Sequence, residues 1–371
     1  LVLDVTTGNV LAYIGNIYEP QNPELESDID VIKAPRSPGS ARKPILYAAA
    51  LSEGMILSNS LLADIPTQIG GYTPQNYDRD YDGAVPASRA LARSLNIPAV
   101  RLLQQYKYQR FYDLLKQLGM TTLNNPADHY GLSLILGGGE VTMWDLAGIY
   151  AGMARTLNHQ KKNKGFALQK DFHAPIYFDA QNNNGKKVSD EKINSLDATS
   201  IWFTFQAMEE VMRPGEEGLW EQFSSSQKVA WKTGTSFGFR DAWAIGITPK
   251  YVVAVWTGNT DGEGRPGLIG VQTSAPVMFD IFRKLPDSKW FSSPQNNFTF
   301  LPVCRQSGYR ANIDCNDVDT IMVSTNGDKT PLCPYHQLIH LDETGSYRVT
   351  ENCESPENMI HKSWFVLPPT M

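Results

Sequence analysis

Ser40 stands three residues before Lys43, Ser94 stands two before Asn96, and Lys232 opens the run Lys232-Thr233-Gly234-Thr235. A serine hydroxyl is a weak nucleophile until a base takes its proton. A lysine three positions along a helix shares the serine's face. It can serve as that base if burial or a second cation lowers its pKa from the usual value of about 10.4. Lys232 is the candidate second cation. Pro38-Gly39 reads as a turn that delivers Ser40 to the first turn of a helix. Unpaired backbone N–H groups and a partial positive charge at such a start can receive an oxyanion. Together these residues can do acyl transfer through a serine ester, with lysine handling the protons.

The elements that must position them can be read from the flanking residues. Val229-Ala230-Trp231 before Lys232, and Asp241 to Ile247 after it, are strand-like. Gly234 removes a side chain where a ligand backbone would come close, and an edge strand of this kind can bind an extended peptide by strand addition. Ser94-Leu95-Asn96 with Pro98 also describes an ordinary loop and helix cap. Ser-x-x-Lys alone also describes a capped helix start. The conjunction of all three groups in this order is what is specific.

These motifs, with their surroundings, resemble the transpeptidase domain of a bifunctional, class A penicillin-binding protein. Leu1 to Ala12 is similar to that family's first hairpin, Pro35 to Ser40 to its approach to the nucleophile, Ala90 to Val100 to its second-motif region, and Gly131 to Thr142 to the segment that follows. Thr235 to Trp243 tilts the resemblance toward the 1C type. It spans about residues 1–285. It implies an α+β fold, an antiparallel sheet flanked by helices as in penicillin-binding proteins and serine β-lactamases. It makes Ser40 the nucleophile, Lys43 its general base, and Ser94 the relay of a proton to the leaving nitrogen, with Lys232 beside it. Asn96 would donate to the substrate amide and help hold Lys43. Thr233, Gly234 and Thr235 would bind substrate, Thr235 at its terminal carboxylate. The backbone N–H groups of Ser40 and Thr235 would form the oxyanion hole.

The implied activity is a peptidoglycan D,D-transpeptidase acting on stem peptides and acylated by β-lactam antibiotics, with no metal or organic cofactor. The implied place is the periplasmic, extracytoplasmic face of the bacterial inner membrane. Two other readings stay open. The acyl group could pass to water, as in a D,D-carboxypeptidase or β-lactamase, although no glutamate is evident for deacylation. The chain could also be a catalytically weak module that binds peptidoglycan or a partner protein. The feature favouring the latter is Arg42, where the family commonly carries a bulky apolar residue. Arg42 is expected to reach water or a carboxylate, or to point outward, and to lower the pKa of Lys43.

Composition suits an enzyme with a sizeable core: 371 residues, 42% hydrophobic and 19% charged. A net charge of −6 argues against nucleic acid as a partner. No apolar run is long enough for a transmembrane helix. The chain opens directly on a strand-like segment, which reads as a piece of a longer protein with its membrane anchor and glycosyltransferase domain missing.

Strands are expected at 1–18 and 227–257, and helices at about 40–53, 87–119, 140–157, 198–213 and 274–284. The tyrosine-rich stretch 64–86 is expected as a loop or one wall of a peptide cleft, and 182–185 as a turn. Residues 1–285 then form the transpeptidase domain, and 286–371 an irregular C-terminal extension. That extension holds all four cysteines, Cys304, Cys315, Cys333 and Cys353. In an oxidising compartment they suggest two disulfides, and proximity in sequence suggests Cys304–Cys315 and Cys333–Cys353, although four cysteines allow three connectivities. A zinc site is the competing reading, because Cys333-Pro334-Tyr335-His336 has ligand spacing, with His340 as a further candidate. Free thiols are the third.

Overall fold

The computed structural model describes residues 1–19, 21, 26–177, 189–211 and 227–371; the turn expected at 182–185 and the end of the helix expected at 198–213 lie outside them. In chain order the elements are β1 (Val2–Asp4), β2 (Val10–Ala12), α1 (Lys43–Ser52), β3 (Leu61–Asp64), β4 (Gly83–Pro86), α2 (Ala87–Ala92), α3 (Asn96–Tyr106), α4 (Tyr108–Gln117), α5 (Ala127–Tyr130) and α6 (Met143–Asn158). Then come β5 (Phe166–Leu168), β6 (Lys192–Asp197), α7 (Ala198–Glu209), β7 (Ala230–Thr235), β8 (Asp241–Ile247), β9 (Tyr251–Gly258), α8 (Gly270–Phe282), β10 (Phe298–Cys304), β11 (Val318–Ser324), β12 (His336–Leu341) and β13 (Ile360–Phe365).

The principal sheet is antiparallel, in the order β2-β1-β9-β8-β7, which leaves β7 at an edge. Every residue of β8 is buried, because both of its faces are covered. Alternation sends Trp243, Ile245 and Ile247 into the main core with α1, α6 and α7, and Ala244 into a second cluster with Ala275, Met278 and Phe282 of α8. An α+β architecture with an antiparallel sheet flanked by helices is what the sequence leads one to expect.

Caps define two of the core helices. Thr142 Oγ1 accepts from the Asp145 N–H at the start of α6. Asp197 and Ser200 form a reciprocal capping box at the start of α7. Buried Asp197 also accepts from Ser52 Oγ of α1 at 2.9 Å and from Ser324 Oγ of β11 at 2.5 Å. One carboxylate thereby joins two core helices to the C-terminal region.

That region is not irregular. β10 and β11 pair antiparallel over their whole length, from Phe298↔Ser324 to Cys304↔Val318, and β12 and β13 pair from His336↔Phe365 to Leu341↔Ile360. The strands were hard to see because each belongs to a two-stranded sheet whose residues are mostly exposed or half-buried, so the alternation of apolar residues is weak. Pro302 is tolerated in the first because its backbone faces away from β11, on the side where its C=O accepts from Ala311 N–H at 2.9 Å. No helix among the described residues is long and apolar enough to cross a membrane.

Candidate active site

Ser40 lies on a 3-10 turn, Gly39–Arg42, and Lys43 is the first residue of α1. The expected single helix from Ser40 is thus a 3-10 start followed by α-helix. Three residues is the 3-10 period, so Ser40 and Lys43 eclipse one another. Pro44 is tolerated in the first α-helical turn, where its missing N–H has no intrahelical partner.

The turn is held on several sides. Trp243 Nε1 donates to Ser37 O at 2.8 Å, Tyr150 Oη donates to Ala41 O at 2.7 Å, and Ser37 Oγ donates to Gly137 O at 3.0 Å. Gly39 has φ +52°, and a Cβ there would stand 2.4 Å from Thr235 O; a Cβ on Gly234 would stand 2.1 Å from Pro38 O. Both glycines are needed for the Ser40 turn to lie directly against β7.

The edge of β7 presents backbone to this turn. Ser236 N–H donates to Asp241 O, so the alternation of an antiparallel ladder turns the N–H and C=O of Thr233 and Thr235 away from β8. They face the open edge beside Gly39 and Ser40. The Thr235 hydroxyl accepts from Gly270 N–H at the start of α8 at 3.2 Å, which leaves its own proton for donation. Sequence reasoning did not find Gly270.

Lys43 and Lys232 are both buried, and Ser94 joins them. Lys43 Nζ donates to Ser94 O at 2.6 Å, Leu95 O at 3.1 Å and Asn96 Oδ1 at 2.7 Å. Lys232 Nζ donates to Ser94 Oγ at 2.7 Å and to Thr233 O at 2.9 Å. Ser94 reaches both because it adopts φ +59°, a left-handed conformation costly for a non-glycine residue and concentrated at functional sites. Burial, and then the charge of Lys232, push the Lys43 pKa well below the usual lysine range. Burial pushes Lys232 down to about 7. Ser40 Oγ makes no hydrogen bond to another described residue.

Asn96 accepts from Lys43 as expected, and its Nδ2 donates to Gln75 O at 2.8 Å. What positions it was missed. Buried Asn76 accepts from Asn96 N–H at 2.8 Å and from Ile97 N–H at 3.3 Å, so it caps α3 from a distant segment. Its Nδ2 is held in turn by Asp64 Oδ1 and Asp80 O. The only signal was an Asn inside the turn-rich stretch 64–86. From that stretch Tyr77 meets Phe239 edge-on at 6.4 Å, so the loop does form a wall facing the segment after β7.

Arg42 departs from every expectation placed on it. It neither reaches water nor finds a carboxylate. It is fully buried, and its guanidinium donates to the carbonyls of Leu134, Gly138, Gly139 and Glu140. Burial lowers its pKa to about 9, so it stays charged at neutral pH. The cation that depresses Lys43 is Lys232 and not Arg42.

The cysteines also depart from expectation. All four are free, so the pairs Cys304–Cys315 and Cys333–Cys353 are not formed. Cys304, Cys315 and Cys333 gather around His336. Cys353 is exposed beside Thr350, and His340 pairs with His361.

The profile of the penicillin binding protein transpeptidase domain matches residues 1–282, and the chain belongs to that family. It is 34% identical to penicillin-binding protein 1C of Escherichia coli over 284 residues, covering 76% of this chain and 33% of that protein. It is 28% identical to penicillin-binding protein 1A of Neisseria cinerea over 294 residues, 76% of this chain and 35% of that one. The chain therefore spans about a third of the length of these relatives. Among solved structures it shares its fold with PonA1 of Mycobacterium tuberculosis (TM-score 0.61, 20% identity, 80% of each chain). Penicillin-binding protein 1A of Haemophilus influenzae is similar as well (TM-score 0.59, 21% identity, 84% of this chain and 51% of that one).

Proposed function

We propose that the chain is the cross-linking unit of peptidoglycan synthesis, a D,D-transpeptidase working through a Ser40 acyl-enzyme. The observation that carries this reading is Ser94 joined by its carbonyl to Lys43 and by its hydroxyl to Lys232, beside the open edge of β7. A donor stem peptide would lie along that edge as an added strand, paired to the backbone of Thr233 and Thr235, with its terminal carboxylate at the Thr235 hydroxyl.

In the first step neutral Lys43 gives up one of its three contacts and takes the Ser40 proton as Oγ attacks the carbonyl of the penultimate D-alanine. The tetrahedral oxyanion is received by the N–H groups of Ser40 and Thr235. Losing one such donor typically costs about 10²–10³ in rate. The C–N bond then breaks. The leaving nitrogen takes a proton from Ser94 Oγ, which Lys232 replenishes, and free D-alanine departs. An amine from a neighbouring stem peptide then attacks the ester and gives a proton through Ser94 Oγ back to Lys232; the C–O bond breaks as Lys43 returns its proton to Ser40 Oγ, which leaves the new amide and the free serine. A β-lactam enters by the same attack, its ring opening in place of the leaving D-alanine.

We further propose that residues 1–285 carry this chemistry, that 286–371 form a distinct extension, and that the unit works on the extracytoplasmic face of the membrane beside a glycosyltransferase domain. The relatives' greater length supports a larger assembly.

Labelling with a fluorescent penicillin tests the core of the reading. Wild type is expected to label covalently, with the mass of the drug on the peptide containing Ser40, and Ser40→Ala is expected not to label. Equal labelling of both would remove the acyl-enzyme. Rapid release of hydrolysed drug would make water the acceptor and β-lactamase the better description.

A further inference from the structure

We propose that Cys304, Cys315, Cys333 and His336 form a closed four-ligand site for a zinc-class metal ion, which fastens the two C-terminal hairpins to each other. The site lies beyond residue 282, where the family match ends. The four ligand atoms lie within 4.8 Å of one another. His336 Nδ1 is 3.4 Å from Cys304 Sγ, 3.5 Å from Cys315 Sγ and 3.4 Å from Cys333 Sγ. A tetrahedral ion with ordinary Zn–S and Zn–N bond lengths sets sulfur and nitrogen about 3.5 Å apart. With all four donor atoms within 4.8 Å of one another, one ion can be shared among them. A disulfide would use two of them and leave the third sulfur and the imidazole unexplained.

The surroundings suit thiolate ligands. Asn312 N–H is directed at Cys315 Sγ at 3.3 Å, and Asn312 Nδ2 ties Cys333 O and His336 O together at 2.8 and 3.2 Å. Phe365 packs edge-on against the His336 ring at 5.1 Å. Cys304, Cys333 and His336 are buried. Orienting contacts of this kind are what a metal's ligands require around them. Four protein donors fill a tetrahedral shell and leave no position for substrate, which makes the site structural. Three thiolates and a neutral imidazole bind the dication with one net negative charge, and each thiol that ligates releases its proton.

The need for such a clasp is physical. A two-stranded hairpin is marginal by itself in water. Here the first hairpin packs a small cluster, Val303 and Val323, against Leu57, and the two hairpins meet in another small cluster around Cys304, Cys333 and Tyr335. Cys304 ends β10, His336 begins β12, and Cys315 and Cys333 lie on the connections, so one ion joins both hairpins. The turn it fixes also touches the transpeptidase core: Leu61 N–H donates to Ser307 O at 2.9 Å, and Ser60 Oγ donates to Gly308 O at 3.1 Å.

Metal analysis of the purified full chain, with thiols counted after denaturation with and without reductant, tests the assignment. Wild type and Cys353→Ser are expected to carry about one zinc per chain and to show no gain of thiols on reduction. Cys333→Ser and His336→Ala are expected to lose it. Because these variants could fail to fold, wild-type protein stripped of metal and loaded with cobalt provides an independent readout. It is expected to show the charge-transfer and intense d–d absorption of tetrahedral cobalt–thiolate. Two or more thiols that appear only after reduction would overturn the proposal in favour of disulfides. A folded wild type with four free thiols, no bound zinc and no cobalt–thiolate spectrum would overturn it as well.

Discussion

Arg42 and Lys43 are neighbours in sequence, both are cations and both are buried, yet they serve two different regions. Arg42 points behind the nucleophile's turn into a nest of carbonyls from 134–140. Lys43 points forward, to carbonyls at 94 and 95 and to the amide of Asn96. The ligand atoms are nearly the same in kind. The difference lies in the side chain. A guanidinium spreads its charge over five donors and does not lose a proton at neutral pH, so burial makes Arg42 a fixed strut. An ammonium is a point charge that desolvation and a like neighbour can strip of a proton, so the same burial suits Lys43 to the proposed role of base.

The sharpest way to break this comparison is to give the forward position the rear position's side chain. Lys43→Arg keeps charge and donors and removes the base. Penicillin acylation is expected to slow by about 10²–10⁴-fold, measured as the second-order labelling rate, while thermal unfolding shifts little. Acylation within tenfold of wild type would show that Lys43 is not the base.

The rear region should respond in the opposite sense. Arg42→Met removes the guanidinium donor from the carbonyls of Leu134, Gly138 and Gly139, while Glu140 O keeps Thr122 Oγ1; the expected loss is about 3 kcal/mol of stability, read from denaturant unfolding. The folded fraction is expected to acylate within about tenfold of wild type, since Arg42 touches no reacting group. A stable but inactive Arg42→Met would place Arg42 in the chemistry after all.

Asn76 tests how far the forward region extends. Its side chain caps α3 and holds Asn96, the residue that holds Lys43. Asn76→Ala is expected to cost about 1–2 kcal/mol and to slow acylation several-fold through the loosened Asn96. A loss of stability with no change in rate would make Asn76 a cap and nothing more.

The two regions were not equally legible in the sequence. Ser40, Lys43, Ser94, Asn96 and Lys232 lie within short motifs whose spacing reflects local geometry, and local geometry is what a sequence displays. The sheet was expected from the strand-like runs at 1–18 and 227–257 and from the family resemblance. Arg42 was misjudged because its partners are backbone carbonyls almost a hundred residues away, and carbonyls carry no sequence signature. Asn76 and Gly270 were missed for the same reason, since each meets the site only after the chain has folded back. The cysteines misled because nearness in sequence was taken as a guide to pairing. Cys304 and Cys333 meet only through the packing of two hairpins whose own alternation was too weak to read.

The finest test separates the two lysines of the forward region. On the proposed mechanism acylation needs Lys43 neutral, and its pKa lies well below the usual lysine range, so the rate should rise with pH through that lowered value. Protonation of the leaving nitrogen needs Lys232 charged, and its pKa is about 7, so the rate should fall as pH passes that value. The profile is then a bell whose apparent limits belong to the coupled pair. Asn96→Asp replaces the oxygen 2.7 Å from Lys43 Nζ with a carboxylate, which favours the ammonium. The limb set by Lys43 should move to higher pH by about one unit or more. Labelling rates from about pH 5 to about pH 10 for both proteins provide the check. A rising limb that stays in place would mean that Lys43 does not set it, and the contrast with Arg42 would lose its chemical basis.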